Sequence, residues 1–167
     1  MRVELDHVFA GLQPAAYEAL YFDEAFNDAL GVHLHMGRQL VRLDHTTDHT
    51  TDRIIRHVRY EPSQQPGSAT KQAFGTSRAS FLEELDYDVR ARRGAWRTIP
   101  NLFADRVTSS GTIEFVATPA GTRRVVTGEV AVRLFGLGGR VERMIAAEIV
   151  ASYEASTEFT RAWLATH

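Results

Sequence analysis

The chain contains no cysteine. That excludes disulfides, thiol nucleophiles and thiolate metal ligands, so any metal site would have to use histidines and carboxylates. Lysine is almost as scarce: Lys71 stands alone, and nearly all basic charge is arginine, which reads as a composition bias before any functional one. No apolar run approaches the roughly 18 residues of a membrane span. No signal-peptide or transit-peptide pattern opens the chain, so a soluble, cytoplasmic protein is expected. Charge of one sign is missing too: the net formal charge is -2 and the pI about 6.4, which gives no electrostatic reason to expect nucleic-acid binding.

What is present is a globular composition. The 167 residues are 44% hydrophobic and 24% charged, enough for one domain over 1–167 with a sizeable core. Val3, Leu5, His7 and Phe9 alternate with Arg2, Glu4 and Asp6, giving a strand with one apolar face. Gly11 and Pro14 break it, and Ala15 to Leu30 reads as helix. Strands follow at Gln39 to about Thr46 and at Arg53 to Glu61. Pro62 to about Ser80 is a polar loop and a candidate pocket lid. Phe81 to Arg92, Ala95 to Phe103, Arg106 to Thr118 and Thr122 to Leu134 complete the strands, with Pro119-Ala120-Gly121 as a hairpin signal.

The closing stretch is the most distinctive. After the glycine-rich break Gly136-Leu137-Gly138-Gly139, one amphipathic helix runs almost to the C-terminus. Val141, Ile145, Ile149, Tyr153, Phe159 and Trp163 recur along it at helical spacing. Small residues (Ala147, Ala151, Ser152, Ala155, Ser156) lie between them, and a helix of this kind can cross a sheet while leaving room beneath. Strands bounded by helices point to α+β with an antiparallel sheet, and a sheet of this many strands curls around a helical filler.

This order resembles the START-like, or helix-grip (SRPBCC), superfamily, and within it an uncharacterised domain-of-unknown-function family. The resemblance rests on Val3-Glu4-Leu5-Asp6-His7, on Gly128-Glu129-Val130-Ala131-Val132, on Gly136 to Glu142, and on Glu158 to Leu164. It covers essentially the whole chain. More distantly the chain is similar to sterol-binding VASt domains and PRELI-type phospholipid-transfer proteins. The resemblance implies a curved antiparallel sheet of about six to seven strands wrapped around the C-terminal helix. It also implies a short helical segment after the first strand and a cavity between sheet and helix.

Alternation places Leu5, His7, Phe9, Val41, Leu43, Leu85, Tyr87, Val89, Ile113, Phe115, Val130 and Val132 on the inward face, and the helix adds Ile145, Ile149 and Ser152. Apolar walls with few polar groups suit a lipid, sterol or phospholipid, although the same residues could fill a solid core. His7 is the best polar candidate among them, whether as a ligand contact, an acid–base group or a hydrogen-bonded core histidine. Glu129 has the opposite parity and should face solvent. The repeat Asp44-His45-Thr46-Thr47-Asp48-His49-Thr50-Thr51-Asp52 reads as a solvated hairpin, because His45 and His49 on a strand stand too far apart for one ion. Arg90, Arg92, Arg93 and Arg97 surround Trp96, which either packs inward or touches a membrane surface. No nucleophile, base and orienting group share a motif. The expectation is therefore a non-enzymatic binder of a hydrophobic ligand, without metal or cofactor, in passing contact with membranes at most. A polyketide-cyclase-like enzyme and a ligand-free interaction module are the alternatives.

Overall fold

The computed structural model describes residues 1–63, 78–136 and 138–167. Seven strands form one antiparallel sheet in the order β1-β7-β6-β5-β4-β3-β2. They are β1 (Arg2–Ala10), β2 (Met36–Thr47), β3 (Asp52–Pro62), β4 (Phe81–Asp88), β5 (Arg93–Pro100), β6 (Val107–Thr118) and β7 (Gly121–Val132). From β2 to β7 the sheet is a meander, and β1 closes it by pairing with β7. Two helices, α1 (Pro14–Tyr21) and α2 (Glu24–His33), follow β1, and α3 (Gly138–Thr166) ends the chain.

The sequence reads Ala15 to Leu30 as one helix, but the chain makes two. Asp23 interrupts it: its backbone is extended, and its carboxylate accepts the Phe26 amide at 2.7 Å, starting a new helix. Phe81 to Arg92 likewise stops as a strand at Asp88, whose side chain accepts the Ala91 amide and starts the turn. The 29-residue α3 is about 43 Å long at 1.5 Å per residue.

α3 packs against β7, β1 and α2, whereas α1 packs against β6 and β7. Among the described residues α3 makes no backbone approach to β2, β3, β4 or β5. The helix therefore covers one half of the concave face and leaves the other half to different elements. α2 ties down β2 at one point, where buried Arg38 meets Glu24 at 2.7 Å and Asp28 at 2.9 Å. The convex face is solvated and carries cross-strand ion pairs, among them Arg53–Asp86, Arg97–Glu84 and Arg123–Asp6.

The core has two parts. Phe9, Leu85, Tyr87, Ile113, Phe115 and Val126 pack with Tyr17 of α1, while Val3, Val130 and Val132 pack with Ala146 of α3. The apolar stripe of α3 supplies Val141, Ile145, Ile149 and Val150 to the second part.

Candidate functional site

Strand registers line up two adjacent rows across the concave face. One runs Leu40, Val58, Glu83, Thr98, Ser109 and Val130 from β2 to β7. The next runs Leu43, Arg56, Leu85, Trp96, Gly111 and Gly128, ending on Val3 of β1. Along these rows, the floor of the concave face, Val58, Arg56, Leu85, Trp96, Ser109 and Val130 are buried, whereas Leu40 and Leu43 at the β2 end are exposed.

Trp96 determines the shape of the floor. It is 8% exposed and lies over the glycine pair Gly111–Gly128. A Cβ on Gly128 would stand 2.6 Å from its Cζ2. A Cβ on Gly111 would fall 1.8 Å from the Thr127 carbonyl oxygen, so both positions exclude side chains. Glycine here serves close approach of a ring and of backbone. The indole N–H donates to the Thr112 carbonyl at 3.3 Å. Of the two expectations for Trp96, inward packing is what the fold contains, so this residue offers no membrane anchor.

Arg56 is the chief polar group on the floor. Its side chain is 3% exposed and donates to the Tyr21 carbonyl (3.1 Å) and the Tyr21 hydroxyl (3.2 Å). Among the described residues its one carboxylate contact is Glu83, at 3.5 Å. The guanidinium lies over the Tyr21 ring at 4.7 Å and the Phe22 ring at 5.3 Å. Nε is buried without a hydrogen-bond partner. Burial opposes the Arg56 charge, but the facing Tyr21 and Glu83 together hold its pKa above the ordinary arginine value. Burial, followed by Glu83, raises the Tyr60 phenol. Ser109, in the Glu83 row, is 3% exposed with its hydroxyl unpartnered.

A second buried arginine, Arg124, stands beneath the C-terminal half of α3. It makes no ion pair among the described residues and is surrounded by neutral oxygens: Thr157 Oγ1 (2.7 Å), Tyr17 Oη (3.1 Å), the Tyr153 carbonyl (3.2 Å) and Ser156 Oγ (3.4 Å). The Tyr153 and Phe9 rings add cation–π contacts at 4.9 and 5.4 Å. Three of its acceptors belong to α3, so Arg124 clamps the helix to the sheet.

His7 lies opposite Arg124 in the β1–β7 register, with Nδ1 at 3.4 Å from Nη2 of that arginine. Burial, followed by the Arg124 charge, lowers its pKa. Glu154 and Asp6 partly oppose that shift; among the described residues its hydrogen-bond partner is Arg124, so it serves the clamp. Tyr87 donates to the Glu18 carboxylate at 2.6 Å. Burial, followed by that hydrogen bond, raises the Tyr87 pKa, which suits a structural tie between β4 and α1.

The other residues expected to line a cavity divide three ways. Phe9, Leu85, Tyr87, Ile113 and Phe115 are packed by α1: Phe9 stacks on Tyr17 with centroids 4.5 Å apart, and Phe115 meets the same ring at 4.9 Å. Val89, just past β4, packs against that cluster, and Leu5 touches both parts of the core. Val130, Val132, Ile145 and Ile149 pack where α3 meets the sheet.

Val41 and Ser152 are corrected by the structure. A bulge between Leu40 and Arg42 moves Val41 out of register and gives its place to Leu40; Val41 is 49% exposed. Leu43 keeps the inward register opposite Arg56, yet it is 43% exposed because α3 does not reach β2. Ser152 lies on a flank of α3, and Ala147 and Ala151 are exposed. The buried residues of the helix are Ala146, Thr157 and Thr160; of the small row, Ala147 and Ala151 face solvent while Ser156 meets Arg124 beneath the helix.

The Asp44–Asp52 repeat forms the β2–β3 hairpin. Asp48 accepts from the Thr50 and Thr51 amides at 2.7 Å, and His45 meets Asp52 at 2.7 Å. A nearby hollow of about 380 Å³ sets Asp52, Asp86 and Asp88 against Arg53, Arg90 and Arg93, a balanced charge set. Most of the expected lid loop, residues 64–77, lies outside the described residues.

A curved antiparallel sheet, short helices after its first strand and a long C-terminal helix across its concave face define a helix-grip fold. The chain belongs to the family described as protein of unknown function (DUF2505), whose model matches residues 12–164. No curated protein matches it. Among solved structures it is similar to TTHA0849 from Thermus thermophilus, with 16% identity, TM-score 0.61 and all of both chains covered. It is also similar to the Zhui aromatase/cyclase from a Streptomyces species, with 15% identity, TM-score 0.55 and 97% and 93% of the two chains covered. CV1439 from Chromobacterium violaceum aligns at 10% identity and TM-score 0.58, over 96% and 95%. At these identities the likeness speaks for the fold alone.

Proposed function

We propose that this protein binds a hydrophobic, lipid-like ligand in the groove between α3 and the β2–β5 half of the sheet, in the cytoplasmic setting expected from the sequence. One observation carries this reading. Leu40 and Leu43 keep the inward register of the two floor rows, yet they are 37% and 43% exposed, on the half of the face that α3 leaves to other elements. Apolar side chains aimed at a concave face and left wet favour an apolar occupant, since covering them gains about 25 cal/mol per Å². Val58 and Trp96, buried beside them, continue the apolar rows, and Ile145 and Ile149 of α3 pack at the far side of the same face.

Native mass spectrometry of the purified protein tests this directly. A co-purifying lipid mass that organic extraction removes is expected. A preparation that stays ligand-free after incubation with mixed lipid extracts refutes the reading.

The Arg56–Tyr21–Glu83 cluster also supports a second reading, a cyclase-like enzyme working in the same groove, because an acid and a base converge there. It would use Glu83 as its base, so Glu83→Gln should abolish turnover of a poly-β-ketone substrate while leaving the fold intact. His7 has no such part, being held by Arg124.

A further inference from the structure

We propose that the ligand is an amphiphile with one carboxylate, bound with that carboxylate on Arg56 and its apolar body over Leu40 and Leu43. This rests on the hydrophobic-ligand reading and specifies the class of molecule.

The described interior side of the molecule holds three arginines with buried side chains, and they differ in how their charge is met. Arg38 faces two carboxylates, Glu24 and Asp28. Arg124 faces none, but Thr157, Tyr17, Ser156 and the Tyr153 carbonyl enclose it beneath α3. Arg56 has neither arrangement. Tyr21 occupies one side of its guanidinium and Glu83 touches one nitrogen at 3.5 Å. Its Nε is buried with no partner, as are those of Arg38 and Arg124, so the loose carboxylate contact is what sets Arg56 apart.

A guanidinium binds carboxylate best through two parallel N–H groups, and an unused Nε–H leaves one such edge incomplete. A buried charge only loosely paired is costly, and an incoming anion offsets that cost. The apolar surface beside it is the piece that needs covering. Leu43 lies directly across from Arg56 in the β2–β3 register, and Leu40 across from Val58. Head and body sites are thus adjacent on two strands. Glu83 limits the head to a single negative charge, because a dianionic phosphate would meet the carboxylate next to the arginine.

Fluorescence titration of the full chain with cis-parinaric acid and with its methyl ester tests the proposal. The two probes share the chain and differ only in the charge. The acid should bind at least about tenfold tighter, the scale of a charge-assisted hydrogen-bond pair. Arg56→Gln should bring acid affinity down to that of the ester. Glu83→Gln should strengthen acid binding several-fold and leave the ester unchanged, because a competing anion is removed. This second variant decides the matter if Arg56→Gln does not fold.

Equal affinity for acid and ester overturns the carboxylate assignment while the hydrophobic groove stands. An acid preference that survives Arg56→Gln, or weaker acid binding in Glu83→Gln, overturns the assignment to Arg56. If neither probe binds, the hydrophobic-ligand reading falls with it.

Discussion

Replacing Gly128 with alanine tests whether Trp96 forms the floor. The new Cβ would lie 2.6 Å from Cζ2 and 2.9 Å from Cη2 of the indole. The ring cannot slide away freely, because it is 8% exposed and rests over Gly111 as well. Forcing an extra carbon into a packed site costs about 1–3 kcal/mol. Exchanging glycine for alanine in a strand returns about 0.5–1 kcal/mol through the unfolded chain. The net expectation is a loss of about 1–2 kcal/mol. In a Trp96→Phe background the clashing atoms are gone, since a phenyl ring carries no second ring, and the same alanine should be neutral or slightly stabilising. The coupling energy should therefore reach about 1–2 kcal/mol, within the range of contacting residues. Equilibrium urea unfolding followed by far-ultraviolet circular dichroism measures all four corners of the cycle without relying on tryptophan emission. An equal loss from Gly128→Ala in both backgrounds would refute the steric argument.

Two further outcomes follow from the clamp under α3. Thr157→Val keeps the shape but removes the 2.7 Å acceptor of the buried Arg124 guanidinium, and should cost about 1.5–3 kcal/mol in urea unfolding; a change below about 0.5 kcal/mol would mean that the clamp carries little. His7 is held neutral, first by burial and then by Arg124, so its folded pKa lies below the ordinary value of about 6.5. In the window between those two values the unfolded chain binds the extra proton, so stability rises with pH there and falls on acidification below about 6.5. His7→Gln should flatten that slope in a pH series of urea midpoints, and an unchanged slope would assign it to other groups.

Most of the fold was legible because strand alternation and helix periodicity carry it. The parity that puts Leu5, Leu85 and Val130 inside in the sequence also puts them inside in the structure. What escaped has physical causes. Arg56 shares parity with Ile54 and Val58, and Arg124 with Val126 and Val130, but a charged residue in a strand reads as solvent-facing unless its partners are known. Those partners, Tyr21, Thr157 and Ser156, lie 35, 33 and 32 residues away in the chain and are assembled only by tertiary packing. The β2 bulge reverses alternation locally, so Val41 in place of Leu40 is the error that strict parity produces. Along α3, Ala147 and Ala151, four apart, resemble an inward row, yet Ala146 and the apolar and threonine residues beside them are what meet the sheet.

Arg124 and Arg56 together explain how one helix can be firmly seated beside a charge it does not hold. Arg124 directs its hydrogen bonds to the Tyr153 carbonyl, Ser156 and Thr157, so lifting the C-terminal half of α3 would strip a buried charge of its acceptors. That penalty fixes the helix over β1 and β7, and aromatic packing of Phe159 and Trp163 on Phe26 of α2 extends the anchor. The N-terminal half is held differently, by Val141, Ile145 and Ile149 and by the Glu142 carboxylate accepting the Val132 amide at 2.9 Å. Arg56 makes no hydrogen bond to α3; its partners come from the end of α1 and from β4. The charge that faces the proposed groove is thus positioned independently of the helix. An occupant of the groove would meet Arg56 in the same place however the N-terminal half of α3 is packed.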